Sequence, residues 1–268
     1  MMNDISARQT EIISLARVAG RVGVEELAKR YDVSAQTIRK DLNELCDRHL
    51  LTRVHGGAIV SSGVENIAYE ARRFVAAPEK RAIGLAAAAL IPNNSSLFIN
   101  IGTTTEEVAR ALATHEDLLV ITNNINVAML LYRRPRIEVI VAGGTVRRSD
   151  GGVVGTSASD LIRQFKVDHA VIGASAIEAD GTLLDFDYRE VQVAQAIMEN
   201  ARHAILVADS SKLKRSAPVR IAHIGQVQTW VTDDAGDSPV RDVCRERGVA
   251  IIEALPGGEA QEEAEGSG

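Results

Sequence analysis

The chain of 268 residues is long enough for one large domain and a small one. Hydrophobic residues make up 46% of it but aromatic residues only 3%, so its core must consist mainly of Ala, Val, Ile and Leu. The net charge of −6 argues weakly against a nucleic-acid-binding protein, and no apolar run approaches the roughly 18 residues of a membrane-spanning helix.

The start of the chain and its cysteines indicate a cellular compartment. Residues 1–4 lack the basic-then-apolar pattern of a signal peptide. Cys46 and Cys244 lie far apart and have no metal-site spacing, which is typical of free thiols in a reducing environment. We therefore expect a cytoplasmic protein without a bound metal and without a membrane partner.

The charge is distributed unevenly along the chain. Residues 1–60 carry a net charge of +1 and the other residues −7. Much of the acid lies near the end, where we predict a disordered acidic tail over residues 255–268. A near-neutral first segment leaves room for DNA binding there without proving it.

Three short helices are predicted before residue 50. Apolar residues at helical spacing mark helices near residues 12–19 and 24–31, and Gly20 should end the first of them. Ser34 is well placed to cap a third helix, whose apolar stripe faces inward and whose other residues face outward. The residues of this helix that we predict to contact DNA are Ser34, Ala35, Gln36, Thr37, Arg39 and Lys40.

Two helices joined by a tight turn are typical of a helix-turn-helix. Small polar residues at the start of its second helix can approach base edges, while Arg39 and Lys40 suit phosphates. Residues 50–60 predict two short strands around a glycine turn, with Arg53 and His55 on one face as further DNA contacts. We predict a winged helix-turn-helix over residues 1–60; the alternative is a small helical module for protein contacts.

One stretch of this segment resembles a known family. Residues 33–45 read VSAQTIRKDLNEL, and residues 53–58 read RVHGGA. This combination resembles the signature of the DeoR family of bacterial transcriptional repressors. The resemblance implies that the chain binds double-stranded operator DNA as a homo-oligomer, either a dimer or a tetramer.

Helices and strands alternate in the rest of the chain. After a predicted linker over residues 61–78, with a helix at 65–76 that Pro78 ends, a larger domain is expected over residues 79–254. The pattern predicts a doubly wound α/β sheet, in which ligands bind beyond the carboxyl ends of the strands. The predicted strands are 96–101, 118–122, 137–142, 170–173, 204–208, 229–232 and 249–253.

Several of these strand ends carry residues suited to a small phosphorylated ligand. One strand leads into a Gly-Thr-Thr-Thr run that opens a helix, where the helix N-terminus favours an anion. Amides and glycines follow the next two strands, and a lysine near the end of another can supply charge for a phosphate. The residues that we predict to bind this effector are Gly102, Thr103, Thr104, Thr105, Thr122, Asn123, Asn124, Gly143, Gly144, Asp185 and Lys212.

The larger domain also resembles the DeoR family. Residues 98–104, 120–124 and 142–144 are similar to its effector domain, whose fold is similar to ribose-5-phosphate isomerase and coenzyme A transferases. Residues 150–155 and 180–188 resemble members that respond to glycerol-3-phosphate. The resemblance implies an operon of glycerol catabolism as target, no cofactor, and release from DNA by glycerol-3-phosphate or a similar phosphorylated polyol.

Two positions depart from the family pattern. The family commonly has aspartate where this chain has Asn100, and a basic residue near Ala194. The loss of one negative and one positive group leaves two alternatives: the two changes compensate each other, or they alter which effector is bound.

An aldose–ketose isomerase acting on a sugar phosphate is the alternative function. It needs a general base, for which Asp185, Asp187 and Asp209 are candidates. However, Asn100 carries an amide, which cannot accept a proton, at a strand end where a base would be useful. An isomerase also has no need of a winged helix-turn-helix, so we predict that the protein is not an enzyme.

Overall fold

The computed structural model describes residues 6–19, 21–48, 50–54, 56–59 and 69–256. The chain forms two compact units, residues 1–75 and residues 76–268. The boundary between the units falls inside the predicted linker, of which residues 61–68 lie outside the described part. His55 and residues 257–268 of the predicted tail also lie outside it, so the predicted domain bounds stay predictions.

The first unit consists of helices and a small antiparallel sheet. Its elements are α1 (Ala7–Ala19), β1 (Arg21–Gly23), α2 (Val24–Tyr31), α3 (Ala35–Asp47), β2 (Thr52–Val54), β3 (Gly57–Ile59) and α4 (Tyr69–Phe74). The strand order is β1-β3-β2, so β1 adds a strand to the predicted wing. This addition requires Gly57, because a Cβ atom there would lie 2.0 Å from the carbonyl oxygen of Val22.

The core of this unit is built from the predicted apolar stripes. Ile12, Leu27, Ile38 and Leu42 are fully or almost fully buried against one another. Burying each such side chain stabilises the fold by about 1.5–3 kcal/mol. The predicted cap of α3 is confirmed, since Ser34 Oγ accepts a hydrogen bond of 3.1 Å from the backbone N–H of the third residue of the helix.

The second unit is an α/β domain. Its helices are α5 (Ala77–Ala89), α6 (Thr103–Ala111), α7 (Ile125–Leu131), α8 (Thr156–Ile162), α9 (Tyr188–Glu199) and α10 (Pro239–Arg247). Its strands are β4 (Ser96–Ile99), β5 (Leu118–Thr122), β6 (Ile137–Val141), β7 (Thr145–Val146), β8 (Val153–Val154), β9 (Val167–Ile172), β10 (Ala176–Ile177), β11 (Thr182–Asp185), β12 (Ala201–Val207), β13 (Val219–His223), β14 (Thr229–Thr232) and β15 (Ala250–Glu253).

Among the described residues, seven strands form one parallel sheet in the order β15-β14-β12-β9-β4-β5-β6. Side chains alternate between its two faces: Phe98 belongs to one apolar cluster, while Leu97 and Ile99 belong to the other. Because both faces are covered, the inner strands read as continuous apolar runs rather than as alternating ones. The predicted doubly wound sheet is confirmed.

The structure differs from the sequence predictions in two places. In the described part of the predicted helix 65–76, α4 covers Tyr69–Phe74, and Pro78 lies in the first turn of α5 instead of ending a helix. Proline suits that position because the first helical turn does not use its missing N–H. The β7–β8 ribbon and the sheet β10-β11-β13 were not predicted, because most of these strands are too short to show a period.

Two further features bear on the expectations about compartment and metal. Cys46 and Cys244 are free thiols, and burial raises the pKa of Cys244 to about 11. In the described ranges, no helix is both long and apolar enough to cross a membrane, and no group of three or more His, Cys, Asp or Glu side chains is arranged so that it could hold a metal ion.

Candidate DNA-binding surface and effector site

The outward face of α3 carries the residues predicted to contact DNA. Gln36, Arg39 and Lys40 are exposed, and Thr37 is half-buried. Arg39 lies 3.9 Å from Glu25 of α2, but an ion pair this exposed contributes at most about 1 kcal/mol and leaves the guanidinium able to bind a phosphate. Among the other predicted residues, Ser34 is exposed, Ala35 is half-buried, and Arg53 of the wing is exposed.

An acidic residue of α3 points away from this face, which the sequence did not reveal. Asp41 is buried and accepts a hydrogen bond of 2.7 Å from Arg8 Nε. Gln9 Nε2 donates to Asp41 at 3.3 Å and to Glu44 at 2.6 Å. These contacts fasten α3 to α1 and keep the charge of Asp41 from opposing DNA.

The carboxyl end of β4 leads directly into α6. The first helical hydrogen bond of α6 runs from Glu106 N to Gly102 O, so the N–H groups of Thr103, Thr104 and Thr105 precede the helical ladder. The three threonines are buried, and Thr105 Oγ1 donates to the carbonyl oxygen of Gly102 at 2.8 Å. These N–H groups lie at a helix N-terminus, where an anion can bind, and an effector contact here stays a prediction.

The residues at the end of β5 are engaged within the protein. Thr122 Oγ1 donates to the carbonyl oxygen of Ile99 at 2.6 Å. Asn124 Oδ1 caps α7, and its Nδ2 donates to Glu106 Oε1 at 3.2 Å. Asn123 Nδ2 donates to the carbonyl oxygen of Val153 at 3.2 Å. An effector contact at Thr122 or Asn124 would have to share or replace these bonds, and it stays a prediction.

Gly143 and Gly144 follow β6, as predicted. A Cβ atom on Gly143 would meet open space, whereas one on Gly144, whose φ is +147°, would lie 3.2 Å from Val153 Cγ1. Gly144 therefore permits close packing of the chain against β8, and Gly143 leaves room beside the backbone for a ligand.

Two lysines lie near the end of β12. Lys212 is buried, and its Nζ lies 3.9 Å from Asp209 Oδ2. Burial favours the neutral form of Asp209, but the charges of Lys212 and Lys80 outweigh it and keep the pKa of this carboxyl below its usual value. Lys80 of α5 is only 1% exposed, and no sequence pattern singles it out, because it lies inside an alanine-rich helix.

Asp185 is held by local contacts. It accepts hydrogen bonds from Ser175 Oγ at 3.1 Å and from the backbone N–H of Phe186 at 2.6 Å. Ala194 of α9 is 1% exposed inside an apolar cluster, so its methyl group packs in the core. The role of Asp185 in effector binding stays a prediction.

A partly buried ionic cluster joins the β7–β8 ribbon to α9. Arg147 donates to Asp150 Oδ1 and to Asp187 Oδ2, both at 2.9 Å, and also to Glu190. Burial by itself lowers the pKa of Arg147. Hydrogen bonding to Asp150 and the charge of Glu190 outweigh burial and raise the pKa above its usual value, so the guanidinium group stays charged. Hydrogen bonds from Arg189, followed by those from Arg147, lower the pKa of Asp187 to about 2.

Three buried acceptor atoms near the strand ends accept no hydrogen bond from the described part of the chain. They are Asn100 Oδ1, Asn123 Oδ1 and Asp209 Oδ2. Buried polar atoms are nearly always hydrogen-bonded, so each of these atoms calls for an explanation. All three follow strands of the parallel sheet, on the side where α/β domains bind ligands.

Comparisons with known proteins agree with this arrangement. Residues 8–63 match the family model of the DeoR-like helix-turn-helix domain, and residues 75–234 match that of the DeoR C terminal sensor domain. The chain belongs to the DeoR family. It is a DNA-binding transcriptional repressor, and the predicted family and fold class are confirmed.

Several curated relatives cover most of this DeoR-family chain. It is 45% identical over 226 residues to the "Glycerol-3-phosphate regulon repressor" of Escherichia coli (strain K12), covering 84% of this chain and 90% of that protein. The protein of that name from Haemophilus influenzae is 46% identical, with 88% and 92% covered. The "HTH-type transcriptional repressor CsqR" of Escherichia coli (strain K12) is 41% identical, with 91% and 94% covered.

Likeness to solved structures is weaker. Ribose 5 phosphate isomerase A from Neisseria gonorrhoeae has 15% sequence identity and a TM-score of 0.37, covering 52% of this chain and 53% of that one. These values are too low to support a conclusion about activity.

Proposed function

We propose that this DeoR-family protein represses an operon of glycerol-3-phosphate catabolism and is released from its operator by glycerol-3-phosphate or a related phosphorylated polyol. The relatives that are 45–46% identical carry the name of a glycerol-3-phosphate regulon repressor. The proposal that the protein binds a phosphorylated effector rests on the residues at the strand ends. The start of α6 offers a helix N-terminus for an anion, Gly143 leaves space beside its backbone, and Lys212 supplies a buried cation.

The proposal extends to catalysis and assembly. We propose that the protein uses no cofactor and catalyses no reaction, because the end of β4 carries the amide of Asn100, which cannot act as a base. We also propose that it binds DNA as a homo-oligomer, since one small module reads too few base pairs to be specific. Effector binding changes DNA binding only if the effector has different affinities for two conformations of the protein.

The first experiment is a fluorescence anisotropy titration on labelled DNA from upstream of glycerol-utilisation genes, at fixed ionic strength. We expect glycerol-3-phosphate to release the protein, and glycerol and inorganic phosphate to have no effect. Tight DNA binding that glycerol-3-phosphate does not weaken would refute the proposed effector but not the proposed binding to this DNA.

A variant tests the effector site itself. Lys212→Ala should bind DNA like the wild type but need about tenfold to a hundredfold more glycerol-3-phosphate for release, because a charged hydrogen bond contributes about 1.5–3 kcal/mol. Lys214→Ala is the matched control, since Lys214 is exposed two residues further along. Equal release of both variants would show that the phosphate binds elsewhere.

A further inference from the structure

Two asparagines lie side by side at the carboxyl-terminal ends of two neighbouring strands of the parallel sheet. β4 pairs with β5 so that Ile99 lies opposite Thr122, and the next residue of each chain is an asparagine, Asn100 and Asn123. Neighbouring strands lie about 4.8 Å apart, and residues in register leave the sheet on the same side. The two side chains are therefore neighbours by strand pairing, although 22 residues of sequence separate them.

Both side chains are buried, yet neither carbonyl oxygen has a donor. Asn100 is 2% exposed and Asn123 0% exposed, and the Oδ1 atoms of both have no hydrogen-bond partner in the described ranges. The Asn123 amide is oriented by its Nδ2, which donates to Val153, so its oxygen is the atom left over. The backbone of Asn100 is engaged within the protein, because its N–H donates to Val171 O at 3.0 Å and its carbonyl shares with Gly102 O the hydroxyl proton of Thr105, whose Oγ1 lies 2.8 Å from both oxygens.

The chemistry of these atoms selects the group that can pair with them. An amide oxygen only accepts, so its partner must donate, which excludes phosphate and carboxylate oxygens. Both amides are neutral, so they offer no charge to an ammonium group and suit a hydroxyl. Since the two backbones are about 4.8 Å apart, and two hydroxyl oxygens on adjacent carbons lie only a few ångströms apart, one such pair of hydroxyls can reach both acceptors, one hydroxyl for each oxygen.

We propose that Asn100 and Asn123 together recognise two adjacent hydroxyl groups of the effector, and that Asn100 is a specificity-determining residue of this site. The inference rests on the proposed function, since it assigns the hydroxyl-bearing part of the same ligand. It also accounts for the two unpaired oxygens of Asn100 and Asn123, because a bound diol supplies the two missing donors.

The substitution Asn100→Leu keeps the branched shape and the number of side-chain heavy atoms and removes the unpaired oxygen. If Asn100 had a structural role, replacing it would lower the melting temperature. If its buried oxygen has no partner, removing that oxygen leaves the melting temperature unchanged or raises it. We expect the ligand-free variant to melt at or above the wild-type temperature and to bind glycerol-3-phosphate about tenfold or more weakly, measured by calorimetry. Asn200→Leu is the control: its Nδ2 donates to Ala196 O at 2.8 Å, so it should lower the melting temperature without changing the affinity.

Two analogues identify the hydroxyl. Propane-1,3-diol monophosphate lacks the central hydroxyl of glycerol-3-phosphate, and propane-1,2-diol 1-phosphate lacks the terminal one. We expect the wild type to bind each more weakly than glycerol-3-phosphate. Asn100→Leu should lose affinity for one analogue and leave the affinity for the other unchanged, because that analogue already lacks the hydroxyl that Asn100 binds.

Distinct results overturn the inference and the proposed function. If Asn100→Leu lowers the melting temperature and weakens all three ligands equally, Asn100 is a structural residue and the inference fails, while the proposed effector stands. If the wild type binds the analogues as tightly as glycerol-3-phosphate, no diol is recognised. If it binds none of the three ligands, the proposed effector is wrong and the inference falls with it.

Discussion

Replacing Arg147 by Gln removes the cation that two buried carboxylates and one half-buried carboxylate share. The side chain of Arg147 is 18% exposed, and those of Asp150, Asp187 and Glu190 are 1%, 17% and 10% exposed. Breaking a buried ion pair from one side costs about 3–5 kcal/mol, because the remaining charge stays buried without compensation. Since Arg189 still pairs with Asp187, we expect the lower end of that range, about 3 kcal/mol of unfolding free energy.

The measurement is urea denaturation of Arg147→Gln, followed by circular dichroism. In a protein of this size, 1 kcal/mol shifts the melting temperature by roughly 2–4 °C, so a loss of about 3 kcal/mol corresponds to roughly 6–12 °C. The matched control is Arg136→Gln. Arg136 pairs with Glu116 and Asp117 while 52% exposed, and such a pair contributes at most about 1 kcal/mol. Equal losses in the two variants would refute the argument from burial.

The same cluster predicts a pH dependence. Hydrogen bonds from Arg189, together with Arg147, hold the pKa of Asp187 at about 2, below its usual 3.8. A carboxyl whose pKa is lower in the folded state adds stability above its unfolded pKa, and that stability is lost as the pH falls from 3.8 to about 2. Arg147→Gln should lose less stability over this interval than the wild type, because part of the cause of the shift is gone.

Three other changes test separate parts of the molecule. Lys40→Ala should weaken binding to operator and random DNA alike and reduce the salt slope by about 1; a loss confined to the operator would mean that Lys40 reads bases. Gly57→Ala should destabilise the first unit by about 1–3 kcal/mol, because the added Cβ collides with the Val22 carbonyl; an unchanged melting curve would contradict the close approach of β1 and β3. Burial, and after it His203, lowers the pKa of His169, so the unfolded chain binds the proton more tightly and stability falls as the pH drops below 6.5. His169→Phe should flatten that part of the stability profile, and an unchanged profile would contradict the assignment.

Local patterns were sufficient for much of the fold. Ser34 lies immediately before an apolar stripe of period 3.6, so the start of α3 and its cap were predictable from a few adjacent residues. The strands of the large sheet are short apolar runs between helices, which is a local signal as well. Where strands are only two residues long, as in β7, β8 and β10, no period can appear, and the sequence gives no sign of them.

Strand ends were predictable, but their bonding was not. Alternation of helix and strand is enough to place Thr122, Asn123 and Asn124 at one edge of the sheet. It does not show that the side chains of Thr122 and Asn124 make hydrogen bonds within the protein, while the side-chain carbonyl oxygen of Asn123 has no donor. That difference depends on which backbone groups of other segments come within about 3 Å, a distance that no sequence pattern encodes.

By itself, the sequence determined the two-part organisation, the winged helix-turn-helix, the parallel α/β sheet and the family, because these depend on periodicity and motifs within short windows. Only the tertiary structure decided which polar groups meet. Arg147 bonds Asp187 and Glu190 from 40 and 43 residues away, and Asn100 stands beside Asn123 through strand register. The physical reason is that hydrogen bonds and ion pairs act over a few ångströms, so partners distant in sequence are set by packing alone.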